Sequence, residues 1–258
     1  MGAVGGARVG SLAVISSIGE LWDKVFGAQP DPPPWLVLVT GVIALTVVLT
    51  RTPWRVGRNA ITIAHEGGHA LAAVLTGRRL QGIRLHSDTS GLTLSAGRPT
   101  GPGMVFTLLA GYLAPSLIGL AGAWLLGGNR ITLLLWIAVA LLVAMLVMVR
   151  NAYGMISLGA TAGLVFSVSW FAPPEVQAAF AYAGVWFLLI GGVRPVGELQ
   201  SMRRGGRMPQ SDADQLAWVT HLPALLWVAV FGLVNLFVLV VGAGLLAGPF
   251  LNGSRPIF

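Results

Sequence analysis

The sequence predicts an all-α polytopic membrane protein, a bundle of six to seven transmembrane helices with a short β-hairpin between the second and third spans. Three observations carry this reading. The 258 residues are 55% hydrophobic and 10% charged, with mean hydropathy +0.79, whereas soluble domains carry roughly 25% charged residues. Apolar residues gather into runs of spanning or near-spanning length at 35–50, 59–76, 104–126, 131–149, 153–171, 178–193 and 216–247. Between the second and third runs the apolar period changes from helical to alternate.

Residues 1–33 read as an N-terminal tail. They lack the basic start and unbroken apolar core of a secretory signal, so no cleavage is expected. Ile15, Ile18, Trp22, Val25 and Phe26 follow helical spacing, which suits an amphipathic helix at the interface or a flexible tail, ended by the proline-rich stretch Pro30 to Pro34. Residues 34–248 read as one transmembrane domain and 249–258 as a C-terminal tail.

The second apolar run is interrupted by histidines and a glutamate. After it, Ile83, Leu85, Leu92 and Leu94 alternate with Arg84, His86, Thr93 and Ser95 around Asp88-Thr89-Ser90-Gly91, the pattern of a hairpin and its turn. An unpaired strand edge is forbidden in lipid, so the hairpin must lie at the interface or against the bundle. It is either an ordinary surface hairpin or an edge to which an extended peptide adds as a strand. The last run is long enough for Pro223 to kink it or for Gly242 and Gly244 to break it. No internal repeat is visible, which disfavours a transporter built from inverted halves.

The net charge of +7 comes almost wholly from arginine, with Lys24 the one lysine, and the basic residues cluster between apolar runs. They read as topology determinants against an anionic leaflet, and nucleic-acid binding is not expected. With seven spans, one side receives Arg8, Lys24, Arg78, Arg79, Arg84, Arg98, Arg150, Arg194, Arg203, Arg204 and Arg207; the other receives Arg51, Arg55, Arg58, Arg130 and Arg255. That imbalance predicts a cytoplasmic N-terminus in a multi-pass protein of the cell membrane. The arginine, glycine and alanine bias suits a bacterial cytoplasmic membrane. Absence of cysteine excludes disulfides and thiolate metal sites, leaving His, Asp, Glu and Asn as ligands.

His65-Glu66-Gly67-Gly68-His69 is the chemical centre of the sequence. On a helix the two histidines, four residues apart, share one face, so both imidazoles can bind one Zn²⁺ while Glu66 serves a water as general base. Polar packing between helices is the structural alternative for the histidines, and a buried pair with an arginine is the alternative for Glu66. Ionisable groups inside a membrane are functional by default, which favours the metal.

A third ligand must come from elsewhere, and Asp212, Asp214, Asn151, Glu198 and His221 are the candidates. Ser211-Asp212-Ala213-Asp214 precedes the last apolar run, so one of these residues can cap that helix while a carboxylate points into the bundle. His221, seven residues after Asp214, shares its helical face and reads as a ligand, a partner of a ligand or a polar residue beside Pro223. Asn151 is a weaker ligand that can orient a substrate backbone, and Glu198 reads as an interfacial partner of Arg194 or Arg203.

On these residues the chain resembles the site-2 protease group of intramembrane zinc metallopeptidases, metallopeptidase family fifty, in its compact branch without a PDZ domain. The matching segments are His65 to Ala72, the hairpin near Gly91-Leu92-Thr93, Gly111-Tyr112-Leu113-Ala114-Pro115-Ser116 and Ser211 to Asp214, spanning about 55 to 235. The resemblance implies His65 and His69 as zinc ligands, Glu66 as catalytic base, and an aspartate at the start of a later helix as third ligand. Asp212 is the better transfer and Asp214 the next, because the usual Asp-Gly motif is absent. It further implies a zinc endopeptidase acting on a membrane protein substrate within the lipid bilayer. The competing classes are a metal-binding scaffold or transporter without turnover, and a hydrolase of lipid or another small amphiphile.

Overall fold

The computed structural model describes Trp22, residues 25–206 and residues 210–251, the last four by backbone alone. The N-terminal amphipathic helix therefore falls largely outside the described residues. Nine helices and one hairpin are seen among them: α1 (Pro34–Leu49), α2 (Arg51–Leu75), β1 (Arg79–Leu85), β2 (Gly91–Ala96), α3 (Pro102–Gly127), α4 (Ile131–Met148), α5 (Ala152–Phe171), α6 (Pro174–Gly191), α7 (Arg194–Arg204), α8 (Asp212–Thr220) and α9 (Ala224–Leu251).

Seven apolar runs do not become seven spans. Five helical stretches are long and apolar enough to cross a membrane: α3, α4, α5, α6 continuing into α7, and α9. A sixth crossing forms if α1 and α2, bent by 101° at Thr50, count as one broken span. Proline explains both departures from the run pattern. Had α1 continued, the Pro53 ring would have met the Leu49 carbonyl one turn back, so the chain turns extended at Thr50 and restarts with Pro53 in the first turn of α2. Pro223 acts likewise: the last run breaks after Thr220, His221 takes a left-handed φ of 59°, and α9 begins at Ala224.

The break alters the topology expected from charge. Gln29 receives the backbone of Thr132 on its side chain and donates its own N–H to the Asn129 carbonyl, so the chain enters α1 beside the α3–α4 turn. The hairpin adjoins the opposite end of α3. Seven alternating spans would instead have put the tail and the hairpin on one side.

The main core lies between α1, α3, α4 and α6, where Val37, Ala123, Leu126, Tyr182 and Leu189 are buried. A second cluster joins α3, α7, α8 and α9 through Leu108, Leu199, Leu216 and Phe231. Fully buried Asn235 of α9 donates to the carbonyls of Tyr112 and Gly192 at 3.0 and 3.3 Å, tying three helices at one level. By contrast α4 and α5 bury 28% of their apolar windows and α9 22%, and their outer faces suit lipid.

The hairpin is antiparallel, with Ile83 opposite Thr93, Leu85 opposite Gly91 and an irregularity between Leu80 and Gly82. Cross-strand partners share a face. Ile83 and Leu85 are therefore buried on the face they share with the half-buried Thr93 and Gly91, toward α2, while Leu92 and Leu94 are exposed beside Arg84. The apolar residues of the two strands thus lie on opposite faces of the hairpin.

Candidate metal centre

Close approach of α2 and α3 creates the site. A side chain at Gly68 would stand 2.7 Å from the Ala110 carbonyl oxygen, and one at Gly111 would stand 2.8 Å from His65 Cε1 and 2.5 Å from His69 Cε1. Glycine at both positions lets the helices touch and leaves the space over α3 to the two imidazoles. The rings meet edge to face, with centroids 4.6 Å apart and Nε2 atoms 3.0 Å apart. Gly111 lies nine residues into α3, about 14 Å along its axis from the hairpin end, so the rings sit well inside the bundle.

Each ring is held from behind. His69 Nδ1 lies 2.7 Å from the Thr107 carbonyl, an acceptor only, so the ring proton belongs on Nδ1 and the Nε2 lone pair is free. His65 packs edge-on against Tyr112, which stacks on Phe231. Glu66, 4% exposed, accepts a 2.6 Å hydrogen bond from Thr93 Oγ1. Gly91 on the same strand leaves room for that carboxyl, because a Cβ there would come within 2.7 Å of the Glu66 carboxyl carbon and displace it. Gly91, Thr93 and Tyr112 stand in segments that carry the resemblance, but sequence reasoning assigns them no role, and it does not single out Thr107 at all. The pairing that places Thr93 opposite Ile83 runs without a break from the turn, and the irregularity at Leu80/Gly82 follows beyond it.

Asp212 completes the constellation from α8. Its Oδ2 stands 3.3 Å from His65 Nε2 and 3.2 Å from His69 Nε2. Ser211 caps α8, and the box is closed by Asp214, whose carboxylate accepts from the Ser211 backbone N–H and hydroxyl. Arg203 donates to both oxygens of Asp214 at 2.7 to 3.3 Å. Capping therefore falls to Asp214, which stands outside the cluster, while Ala213 and Leu216 bury α8 against α3 and α9 and turn Asp212 inward. Partial burial works against ionisation of Asp214, but the bonds from Arg203 and Ser211 hold its carboxyl below the ordinary carboxylate range.

The other candidates lie elsewhere. Asn151 brackets Leu85 of β1, donating to its carbonyl at 2.7 Å and accepting its N–H at 3.2 Å. Glu198 accepts from Trp54 Nε1 and Arg194 and lies 3.6 Å from Arg58, an interfacial pairing of the kind expected. His221 closes α8 in its left-handed conformation and is exposed.

The donor set can be tested against a cation. Among the described residues His65, His69 and Asp212 form the group able to hold a metal, their ligand atoms within 4.8 Å of one another. Two ligands at about 2.05 Å in a tetrahedron lie roughly 3.3 Å apart, and the three edges here are 3.0, 3.2 and 3.3 Å. Two imidazole nitrogens and one carboxylate oxygen fit a three-ligand site that keeps a fourth position open.

An apolar bundle of membrane-crossing helices with two histidines of one helix and an aspartate of another gathered beside a buried glutamate defines the class of multi-pass membrane metallopeptidases. The particular family follows from sequence: the family model described as Peptidase M50B-like matches residues 38–242, and the chain belongs to that family, the site-2 protease group. No curated protein and no solved structure matches the chain.

Proposed function

We propose that the protein is a zinc-dependent endopeptidase that cleaves membrane-spanning protein substrates inside the bilayer. The observation that carries this is the convergence of His65, His69 and Asp212 from two helices, beside a glutamate with no arginine partner among the described residues. A polar-packing role for Glu66 would call for a counter-charge; its partner is instead a neutral hydroxyl.

His65 and His69 would hold the ion through Nε2 and Asp212 through a carboxylate oxygen. When bound, zinc acidifies a water and polarises the scissile carbonyl. Glu66 accepts the proton of that water and returns it to the leaving amine. Thr93 keeps the carboxylate turned toward its work, and Thr107 keeps the His69 tautomer that binds.

A helical substrate must unwind before its peptide bonds are accessible, since its carbonyls are already paired. The hairpin suits a strand addition on one side only. The outer edge of β1 is occupied by Val149, Arg150 and Asn151, whereas no backbone partner meets the outer edge of β2 among the described residues. An unwound segment paired with β2 would pass Thr93 and Glu66.

The hairpin end of the bundle is cytoplasmic on this reading. Arg78, Arg79, Arg84, Arg98, Arg150, Arg203 and Arg204 lie toward it, against Arg130 at the α3–α4 turn. Entry into α1 is then external, in a bacterial cytoplasmic membrane.

Glu66→Gln is the test. Purified with zinc, the variant retains the metal and loses cleavage of a single-span substrate by at least about a hundred-fold. Unchanged cleavage would overturn the proposal.

A further inference from the structure

A cleft of about 660 Å³ opens between the end of β2 and α8, within the size range of ligand pockets. Ser95, Ala96 and Gly97 form one wall and Gln215, Trp218 and Val219 the other. Its position relative to the metal donors follows from helix geometry. Gln215 and Val219 stand three and seven residues after Asp212, on the same face of α8. The helix that delivers Asp212 to the histidines therefore floors the cleft with its next two turns. The end of β2, whose outer edge is free among the described residues, itself walls the cleft at Ser95 and Ala96.

The lining is chemically selective. Arg78 donates through Nε to Ser95 Oγ at 3.2 Å and through Nη1 to the Arg98 carbonyl at 2.6 Å, which fixes the guanidinium against the strand. No carboxylate pairs with it among the described residues. Asp214, the acidic group of the cleft, is already neutralised by Arg203. A cation is thus oriented with a donor to spare and without a counter-ion. Trp218, 64% exposed, presents a broad apolar surface on the opposite wall.

We infer that this cleft is a substrate subsite, taking the extended segment that flanks the cleaved span on the hairpin side, and that it selects an acidic side chain for Arg78 within a few residues of an apolar or aromatic one for Trp218. The inference rests on the peptidase reading above and names the class of substrate it acts on.

The test separates the two. Fluorescent peptides carrying one apolar span and a tail of Glu, Gln or Lys beside a Phe are titrated by anisotropy onto full-length, zinc-loaded Glu66→Gln protein in nanodiscs. The acidic tail binds about five-fold more tightly than the neutral one, the lysine tail binds more weakly still, and Arg78→Glu inverts the order. Equal binding of the three tails to the Arg78 protein, or an acidic preference that survives in a zinc-retaining Arg78→Glu variant, overturns the subsite. If Arg78→Glu fails to fold, the three tails on the Arg78 protein alone decide. Because binding is read on the Glu66→Gln variant, failure of the parent protein to cleave any of these peptides would count against the peptidase reading while leaving the charge preference standing.

Discussion

Gly68 of α2 and Gly111 of α3 are indistinguishable by residue type from Gly159 and Gly163 of α5, yet they meet opposite surroundings. Gly68 and Gly111 each face atoms that would collide with a Cβ, the first against the α3 backbone and the second against both imidazoles. Gly159 and Gly163 of α5 have nothing within 4 Å of where a Cβ would stand. Small residues in a membrane helix thus mark the metal centre only where another helix crosses, and the face toward lipid carries them without consequence.

The largest effect expected from this contrast belongs to Gly111. Gly111→Val drives a branched side chain into the space held by His65 and His69, so zinc stoichiometry measured after dialysis falls to background. Gly68→Ala is milder: overpacking against Ala110 and Ala114 lowers stability by about 1–3 kcal/mol, read as a shift in thermal unfolding in detergent.

The two aspartates of α8 sharpen the comparison by function. Asp212→Ala weakens zinc binding by more than about a hundred-fold, because it removes a ligand. Asp214→Ala leaves zinc in place and costs about 1 kcal/mol through the lost cap and its arginine partner. Equal zinc loss in both variants would break the distinction. Thr93→Val, which frees the Glu66 carboxylate, lowers the cleavage rate by about ten-fold with zinc content unchanged.

How much of this was legible beforehand varies by element. The paired histidines and Glu66 were evident because a helical repeat and its chemistry sit in five consecutive residues. The hairpin was evident from its alternation and turn. The choice between Asp212 and Asp214 was not, because it depends on which carboxylate closes the cap with Ser211, and both stand within three residues of it. Of the six to seven spans expected, the structure supports five, or six if α1 and α2 count as one. The break before Pro53 leaves composition untouched while redirecting the chain, whereas the break at Pro223 was legible from the proline itself. Asn151 was read as a possible orienter of a substrate backbone; it brackets the backbone of the protein's own β1 instead.

Two smaller effects complete the set. The carboxyl of Asp214 is held below its ordinary range, so its contribution to stability is fully present above the unfolded value of about 3.9 and is lost as pH falls through the lower folded value. Asp214→Asn flattens that acid limb in a stability-against-pH series, and an unchanged limb would contradict the assignment. Gly159→Ala, in open space, leaves cleavage unchanged and alters stability by no more than about 1 kcal/mol, in the favourable direction.

Zinc K-edge X-ray absorption on the purified protein and on Asp212→Ala tests the central claim most directly. The account predicts one zinc per chain, nitrogen and oxygen neighbours at about 2.0–2.1 Å with the scattering of two imidazoles and no sulfur, and loss of an oxygen neighbour and of bound metal in the variant. A spectrum and a zinc content that survive Asp212→Ala unchanged would contradict it.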